Sequence, residues 1–133
     1  MIILILLNIL VEECKADPNI KDNDGWTPLH YASYNGHLDI VKYLVEKGKA
    51  DPIIENKYGS TPLIVATING HPDIVKYLVE ECKVDPNIKN DDGETPLKLA
   101  KNGMIPYDPK RDKNTIRKGK KGVANYLTNI TQK

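Results

Sequence analysis

The sequence predicts an all-α repeat solenoid, a stack of short helix pairs joined by extended turns. Three observations predict it. Gly25, Gly59 and Gly93 stand 34 residues apart, a period typical of stacked repeat units. The residues around them recur in phase: Gly25-Trp26-Thr27-Pro28-Leu29 returns as Gly59-Ser60-Thr61-Pro62-Leu63 and as Gly93-Glu94-Thr95-Pro96-Leu97. The run Asp39 to Glu46 returns unchanged as Asp73 to Glu80, so that about 21 of the 34 positions agree between 25–58 and 59–92.

Each part of the unit has a local physical reading. Thr27 before Pro28 predicts a helix start, because the hydroxyl accepts an orphan backbone N–H and proline suits the first helical position. Leu29, Ala32 and Ser33 give a short first helix with small residues for close packing. Asn35-Gly36 ends it, since glycine takes the left-handed conformation. A second helix starts near His37 with Asp39 in its first turn; Pro72 and Asp73 do the same in the next unit. Ile40, Val41, Tyr43, Leu44 and Val45 are apolar on most faces, as a helix held between neighbouring units requires. Asp51-Pro52 and a polar stretch then form the turn to the next unit.

The two ends depart from the pattern. In register, Ile9 to Lys15 matches Tyr77 to Lys83, with Cys14 opposite Cys82, so residues 1–24 hold only the second helix and turn of a unit. Met1 to Leu10 is too short for a bilayer, which takes about 20 apolar residues, and has neither a basic start nor a small-residue cleavage site. Ile2, Ile3 and Ile5 stand where complete units carry Gly36, His37 and Asp39. A solenoid end needs a polar outer face, so this end is expected either to continue a longer array or to self-associate. At the other end, Val123 to Leu127 resembles Ile40 to Leu44, which implies an insertion of about 15 residues, 104–118, before the second helix of the last unit.

These residues resemble the ankyrin repeat, whose first helix opens on Thr-Pro-Leu-His. Thr27-Pro28-Leu29-His30 is that motif in full, whereas Ile64 and Lys98 replace the histidine in the later copies. Gly36-His37-Leu38-Asp39-Ile40-Val41 is similar to the family's second-helix start. One departure is regular: the family period is usually 33, and here an extra residue precedes Ala50 and Val84. The resemblance implies a single domain over 1–133, divided as a partial repeat (1–24), repeats at 25–58 and 59–92, and a C-terminal capping repeat (93–133).

It also implies a non-catalytic module that binds another protein through a concave face of turn tips and first helices. Carried onto this sequence, the contact positions are Asn23, Asp24, Trp26, Tyr34 and Asn35; Lys57, Tyr58, Ser60, Ile68 and Asn69; and Asp91, Asp92, Glu94 and Asn102. Trp26, Tyr34 and Tyr58 have no core role in the repeat pattern, and exposed aromatics are favoured binding anchors. The acidic tips, with Asp91, Asp92 and Glu94, suggest a partner with a basic patch.

Other function classes find little support. The formal net charge is +1, but 107–133 carries about eight basic residues against two acidic. Lys110, Arg111, Lys113, Arg117, Lys118, Lys120 and Lys121 make a basic tract, the alternative contact surface for nucleic acid or an acidic partner. Asp108 and Asp112 interrupt it and Tyr107 is its one aromatic, which favours a solvated loop. No nucleophile motif, no phosphate-binding glycine loop and no zinc spacing is present, so catalytic, cofactor and metal residues are expected to be none. His30, His37 and His71 all fall in repeat register and are expected to serve helix caps and contacts between units. Two cysteines far apart, Cys14 and Cys82, do not form a disulfide framework and favour the cytoplasm, with the nucleus left open.

Overall fold

In a computed structural model, which describes residues 2–13 and 15–131, the chain forms a helical stack. Cys14 lies outside the described residues, as do Met1, Gln132 and Lys133. The helices are α1 (Ile2–Asn8), continued by a π-helical turn at Ile9–Glu13, α2 (Pro28–Asn35), α3 (Leu38–Glu46), α4 (Pro62–Ile68), α5 (Pro72–Glu80), α6 (Pro96–Lys101) and α7 (Lys113–Thr131). The first helices α2, α4 and α6 pack side by side in one row, and α3, α5 and α7 in a second.

The starts of the first helices follow the expected chemistry. The hydroxyls of Thr27, Thr61 and Thr95 accept from the backbone N–H groups of His30, Ile64 and Lys98 at 3.3, 3.4 and 3.2 Å, and a proline opens each helix. Each cap thus satisfies one of the donors that a helix start leaves orphaned. Gly36 closes α2 with a φ of 79°, and Gly70 takes the same left-handed region after α4. Ala32, Ala66 and Ala100 are buried at equivalent points of the first-helix row, beside the buried Leu29 and Leu63.

No β-strand occurs among the described residues, and the segments between units are hydrogen-bonded turns. Asp22 N–H donates to Trp26 O, Asn56 N–H to Ser60 O and Asn90 N–H to Glu94 O, at 2.9, 3.0 and 3.1 Å. The side-chain oxygens of Asp22, Asn56 and Asn90 each accept two further backbone N–H groups within the same turn. Adjacent tips are tied together by Lys57 N–H to Asp24 O and Asp91 N–H to Tyr58 O.

The extra residue of the 34-residue unit has a defined place. Lys15, Lys49 and Lys83 hold φ values of 58°, 59° and 58°, so the turn after each second helix is closed by a left-handed lysine. The neighbouring Gly48 is not in the left-handed region, which explains why its equivalent can be Cys82.

The second-helix row is tied by a recurring contact. Tyr77 O–H donates to Glu46 at 3.1 Å and Tyr126 O–H to Glu80 at 2.9 Å. Lys42 lies over the Tyr77 ring and Lys76 over the Tyr126 ring. Val123 and Leu127 are buried on α7 as Ile74 and Leu78 are on α5.

Part of the segment expected as an insertion is helical. α7 begins at Lys113, so 113–118 is helical and only 104–112 remains irregular. Asp112 is the reason: its Oδ1 accepts from Thr115 N–H at 2.8 Å and its Oδ2 from the Thr115 hydroxyl at 3.0 Å, which caps the helix. Gly119, inside α7, is required by packing, because a β-carbon there would overlap the Gly70 carbonyl. Gly122 has room: its β-carbon would meet Pro72 at 3.5 Å.

Two glycine-to-alanine changes in one helix should therefore act in opposite directions. Gly119→Ala is expected to lower stability by about 1–3 kcal/mol through overpacking. Gly122→Ala should raise it by about 0.5–1 kcal/mol through helix propensity. Urea unfolding of both variants checks this; a stabilised Gly119→Ala would show that α7 does not approach Gly70 closely.

Candidate functional site

The turn tips and the first-helix row present the residues singled out in the sequence, and the stack divides them into two groups. The open group lies at the tips. Asn23, Asp24, Lys57, Asp91 and Asp92 are exposed, Glu94 is half-buried, and Tyr58 is 56% exposed. Lys57 pairs with Asp24 at 2.5 Å and lies 5.2 Å from the centre of the Tyr58 ring. The hydrogen bond to Asp24 raises the Lys57 pKa.

Trp26 heads an aromatic cluster. Its ring centre is 5.1 Å from Tyr31, 5.6 Å from Tyr34 and 5.7 Å from His30. Tyr31 O–H donates to Asp22 Oδ2; this bond holds the Asp22 carboxyl below the usual range and raises the Tyr31 hydroxyl. Trp26, Tyr31, Pro28 and Ile20 line a groove of about 360 Å³ with a mostly apolar wall. Tyr31, 48% exposed, belongs to this surface and was not among the residues the sequence singled out. Its counterparts Val65 and Leu99 are buried, so the difference between copies was the signal that marked it.

The second group is covered. Asn69 is fully buried: its Nδ2 donates to Tyr34 O at 2.7 Å and to Asp108 Oδ2 at 3.1 Å. Ser60 is buried under its own turn, and its carbonyl accepts from His30 Nε2 at 2.8 Å. Neither can serve as an open contact residue. Ile68 and Asn102 are half-buried and, with Leu99, Met104, Pro106 and Lys120, enclose a 90 Å³ cavity. Asn35, by contrast, is exposed, and its side chain donates to Tyr31 O within its own helix.

The cover is the chain itself. Residues 103–112 fold back as a strap over the ends of α4 and α6, rather than forming the solvated loop expected. Arg111 donates to Asn69 O, and more weakly to Gly70 O at 3.4 Å. The outward side of the strap carries Met104, 75% exposed, and Tyr107, 87% exposed.

The basic tract is likewise divided. Arg111 is held by the α4–α5 turn, and Lys120, only 4% exposed, turns inward. Lys110, Lys113, Arg117, Lys118 and Lys121 remain exposed.

The model of the family described as ankyrin repeats (3 copies) matches residues 4–90 and 49–106. The chain belongs to the ankyrin-repeat family. Ankyrin repeats are in general non-catalytic and mediate protein–protein interaction. The chain is 52% identical over 33 residues to ankyrin repeat domain-containing protein 49 of Bos taurus, a match covering 25% of this chain and 14% of that protein. It is 48% identical over 33 residues to 26S proteasome non-ATPase regulatory subunit 10 of Dictyostelium discoideum, with the same coverage. It is 45% identical over 38 residues to alpha-latrocrustotoxin-Lt1a of Latrodectus tredecimguttatus, covering 29% of this chain and 3% of the toxin. The matches therefore span at most 14% of the length of these relatives.

Of the three histidines expected in helix caps and contacts between units, His30 and His71 make such contacts, whereas His37 is exposed and gives its helix no side-chain cap. His30 Nδ1 accepts from Thr27 N–H at 3.1 Å while Nε2 donates to Ser60 O, linking two units. His71 Nε2 donates to Tyr34 O at 2.8 Å, with the Arg111 guanidinium 3.1 Å from the same nitrogen. Burial lowers the pKa of both, and for His71 the Arg111 charge adds to it. The Cys82 thiol is half-buried and pushed up by burial. Among the described residues, no cluster of three His, Cys, Asp or Glu side chains could hold a metal ion, and no helix is long and apolar enough to cross a membrane.

The histidine environment sets a pH dependence. With folded pKa values below the unfolded value of about 6.5, the unfolded chain binds more protons as pH falls through that value. Stability is then complete above about pH 6.5 and declines below it, by up to about 1.4 kcal/mol per pH unit for each histidine. His71→Asn should shallow this decline, measured as the urea midpoint between neutral and mildly acidic pH. An unchanged slope would mean that His71 does not titrate on unfolding.

Proposed function

We propose that the protein binds a partner protein on the tip side of its concave face, using Asn23, Asp24, Trp26, Lys57, Tyr58, Asp91, Asp92 and Glu94, with Tyr31 added. The observation that carries this reading is the exposed aromatic and acidic surface at the tips: Tyr58 is solvent-facing, and Trp26, where the other copies carry Ser60 and Glu94, lines an apolar groove with Tyr31. Tyr34, Asn35, Ile68 and Asn102 form the margin of the same surface, and Asn69 and Ser60 support it from beneath. The acidic tips favour a partner with a basic patch. The proposed frame is one domain over 1–133, in a reducing compartment such as the cytoplasm.

The alternative, nucleic acid or an acidic partner at the basic segment, rests on fewer free cations than the sequence suggested, since Arg111 and Lys120 are engaged within the fold.

Affinity capture with the wild type and a Trp26→Ala, Tyr58→Ala double variant tests the tip reading, with Lys47→Ala at the end of α3 as control. The double variant should lose the partners that the wild type and control recover, since truncating a hot-spot aromatic typically costs about 2 kcal/mol or more. Equal recovery from a folded double variant overturns it.

We further propose that the apolar face of α1 mediates self-association. Ile2, Ile3, Ile5 and Leu6 are all exposed, on a helix with no charged residue. Light scattering should show a concentration-dependent dimer that Ile3→Glu, Leu6→Glu abolishes. A strict monomer at high concentration contradicts it.

A further inference from the structure

One edge of α7 concentrates positive charge around a buried lysine. Arg117, Lys120, Lys121 and Ala124 are spaced as a single helical face, and that face turns towards the end of α6. The buried residues of α7 are Ile116, Lys120, Val123 and Leu127, so Lys120 is a cation where an apolar residue is ordinary, and the exposed Arg117 and Lys121 flank it. Together with Lys101 they line a cleft of about 300 Å³ between α6 and α7. Ala100, Ile105 and Ala124 supply its apolar wall.

The cations lack countercharge. No acidic residue lines the cleft, and α7 contains no Asp or Glu along its 19 residues. Among the described residues, none of these cations makes an ion pair. Lys120 is the most telling: its buried ammonium donates to Asn102 Oδ1 at 2.7 Å, Asn102 O at 3.2 Å and Met104 O at 2.6 Å. Three carbonyl oxygens use its three protons but leave its charge in place. Burial accordingly lowers its pKa. A buried charge paired only with dipoles is costly, and the low-dielectric wall that surrounds it directs its field into the cleft.

We propose that the α6–α7 cleft binds the phosphate groups of a small molecule, a diphosphate or a phosphate monoester with a compact apolar part. Lys101, Arg117 and Lys121 contact the oxyanion from the rim, and Lys120 supplies charge from beneath. The volume is at the lower end for small-molecule sites, about 300–1,000 Å³. Single-stranded nucleic acid would need a track with stacking aromatics, and no aromatic residue lines this cleft.

The site is separate from the tips, so its failure would leave the proposed protein-binding function untouched. Backbone amide NMR shifts recorded during titration with inorganic pyrophosphate test it. The expected result is saturable shifts confined to 100–105 and 117–124. Arg117→Gln, Lys121→Gln, both at exposed positions, should weaken binding by about tenfold or more. Lys113→Gln, Lys118→Gln removes the same charge outside the cleft and should change affinity by less than about twofold. Equal weakening in the two variants would mean attraction to overall charge, and overturns the site. Unsaturable shifts spread over other lysines overturn it, as does tighter binding of a single-stranded oligonucleotide or a polyglutamate peptide than of pyrophosphate.

Discussion

Close stacking of the first helices is the constraint on which the rest of this molecule depends. Each unit has too little apolar surface to bury by itself, so stability comes from contact with the next. The alanines at 32, 66 and 100 let α2, α4 and α6 approach. Once they do, polar groups of one unit reach partners in another: His30 reaches Ser60 O, Asn69 reaches Tyr34 O, Tyr77 reaches Glu46, and the tips bond through Lys57 and Asp24. The His30 and Asn69 bonds satisfy buried donors and acceptors only while the units stay in register. A shift of one unit would leave them unpaired, at a cost of about 1–3 kcal/mol for each buried group. The polar contacts thus set the register, while apolar burial holds the stack together.

The same constraint explains why identical residues behave differently along the chain. Asn35 and Asn69 occupy equivalent positions. Asn69 has a first helix beside it, so its amide crosses to Tyr34 O and is buried. No first helix precedes α2 among the described residues, so Asn35 turns back to Tyr31 O and stays in solvent. Tyr31 follows the same logic: its counterparts are shielded by neighbours, and it is not. At the other end the pattern is closed by different means, with α7 lengthened, Gly119 admitting the Gly70 carbonyl, and the strap laid across the exposed helix ends.

How far the fold was legible in the sequence follows from this division. Helix starts and tips are local, governed by Thr, Pro, Gly and Asx side chains within a few residues, and repetition made them conspicuous. The register of α7 was also readable, because Tyr126 keeps the spacing that places its hydroxyl on Glu80. What local chemistry hid was the role of residues whose partners are distant in the chain. Asp112 looked like an interruption of a basic run and is a helix cap. Gly119 carries no local signal of its role as a close contact between backbones. Lys120 looked like a free cation and is buried under three carbonyl oxygens. In the candidate site, Asn69 and Ser60 were assigned from their position in the repeat alone, which does not reveal what lies over or beneath them; Tyr31 was overlooked for the same reason.

The strap also changes what a partner can meet. Had α6 led directly into a second helix, as α2 and α4 do, the helix-end half of the concave face would present the side chains of Ile68, Asn69 and Asn102. Asp108 and Arg111 instead spend their hydrogen bonds on Asn69, and that half of the surface passes to the strap's outward residues, Met104 and Tyr107. The exchange replaces a polar, framework-like margin with two large apolar side chains, one of them flexible and the other aromatic, both suited to contact. On the proposed reading, the surface open to a partner is bounded by the acidic tips on one side and by the strap on the other. The strap's outward residues lie outside the repeat pattern, free of the packing demands that keep the framework nearly identical from copy to copy.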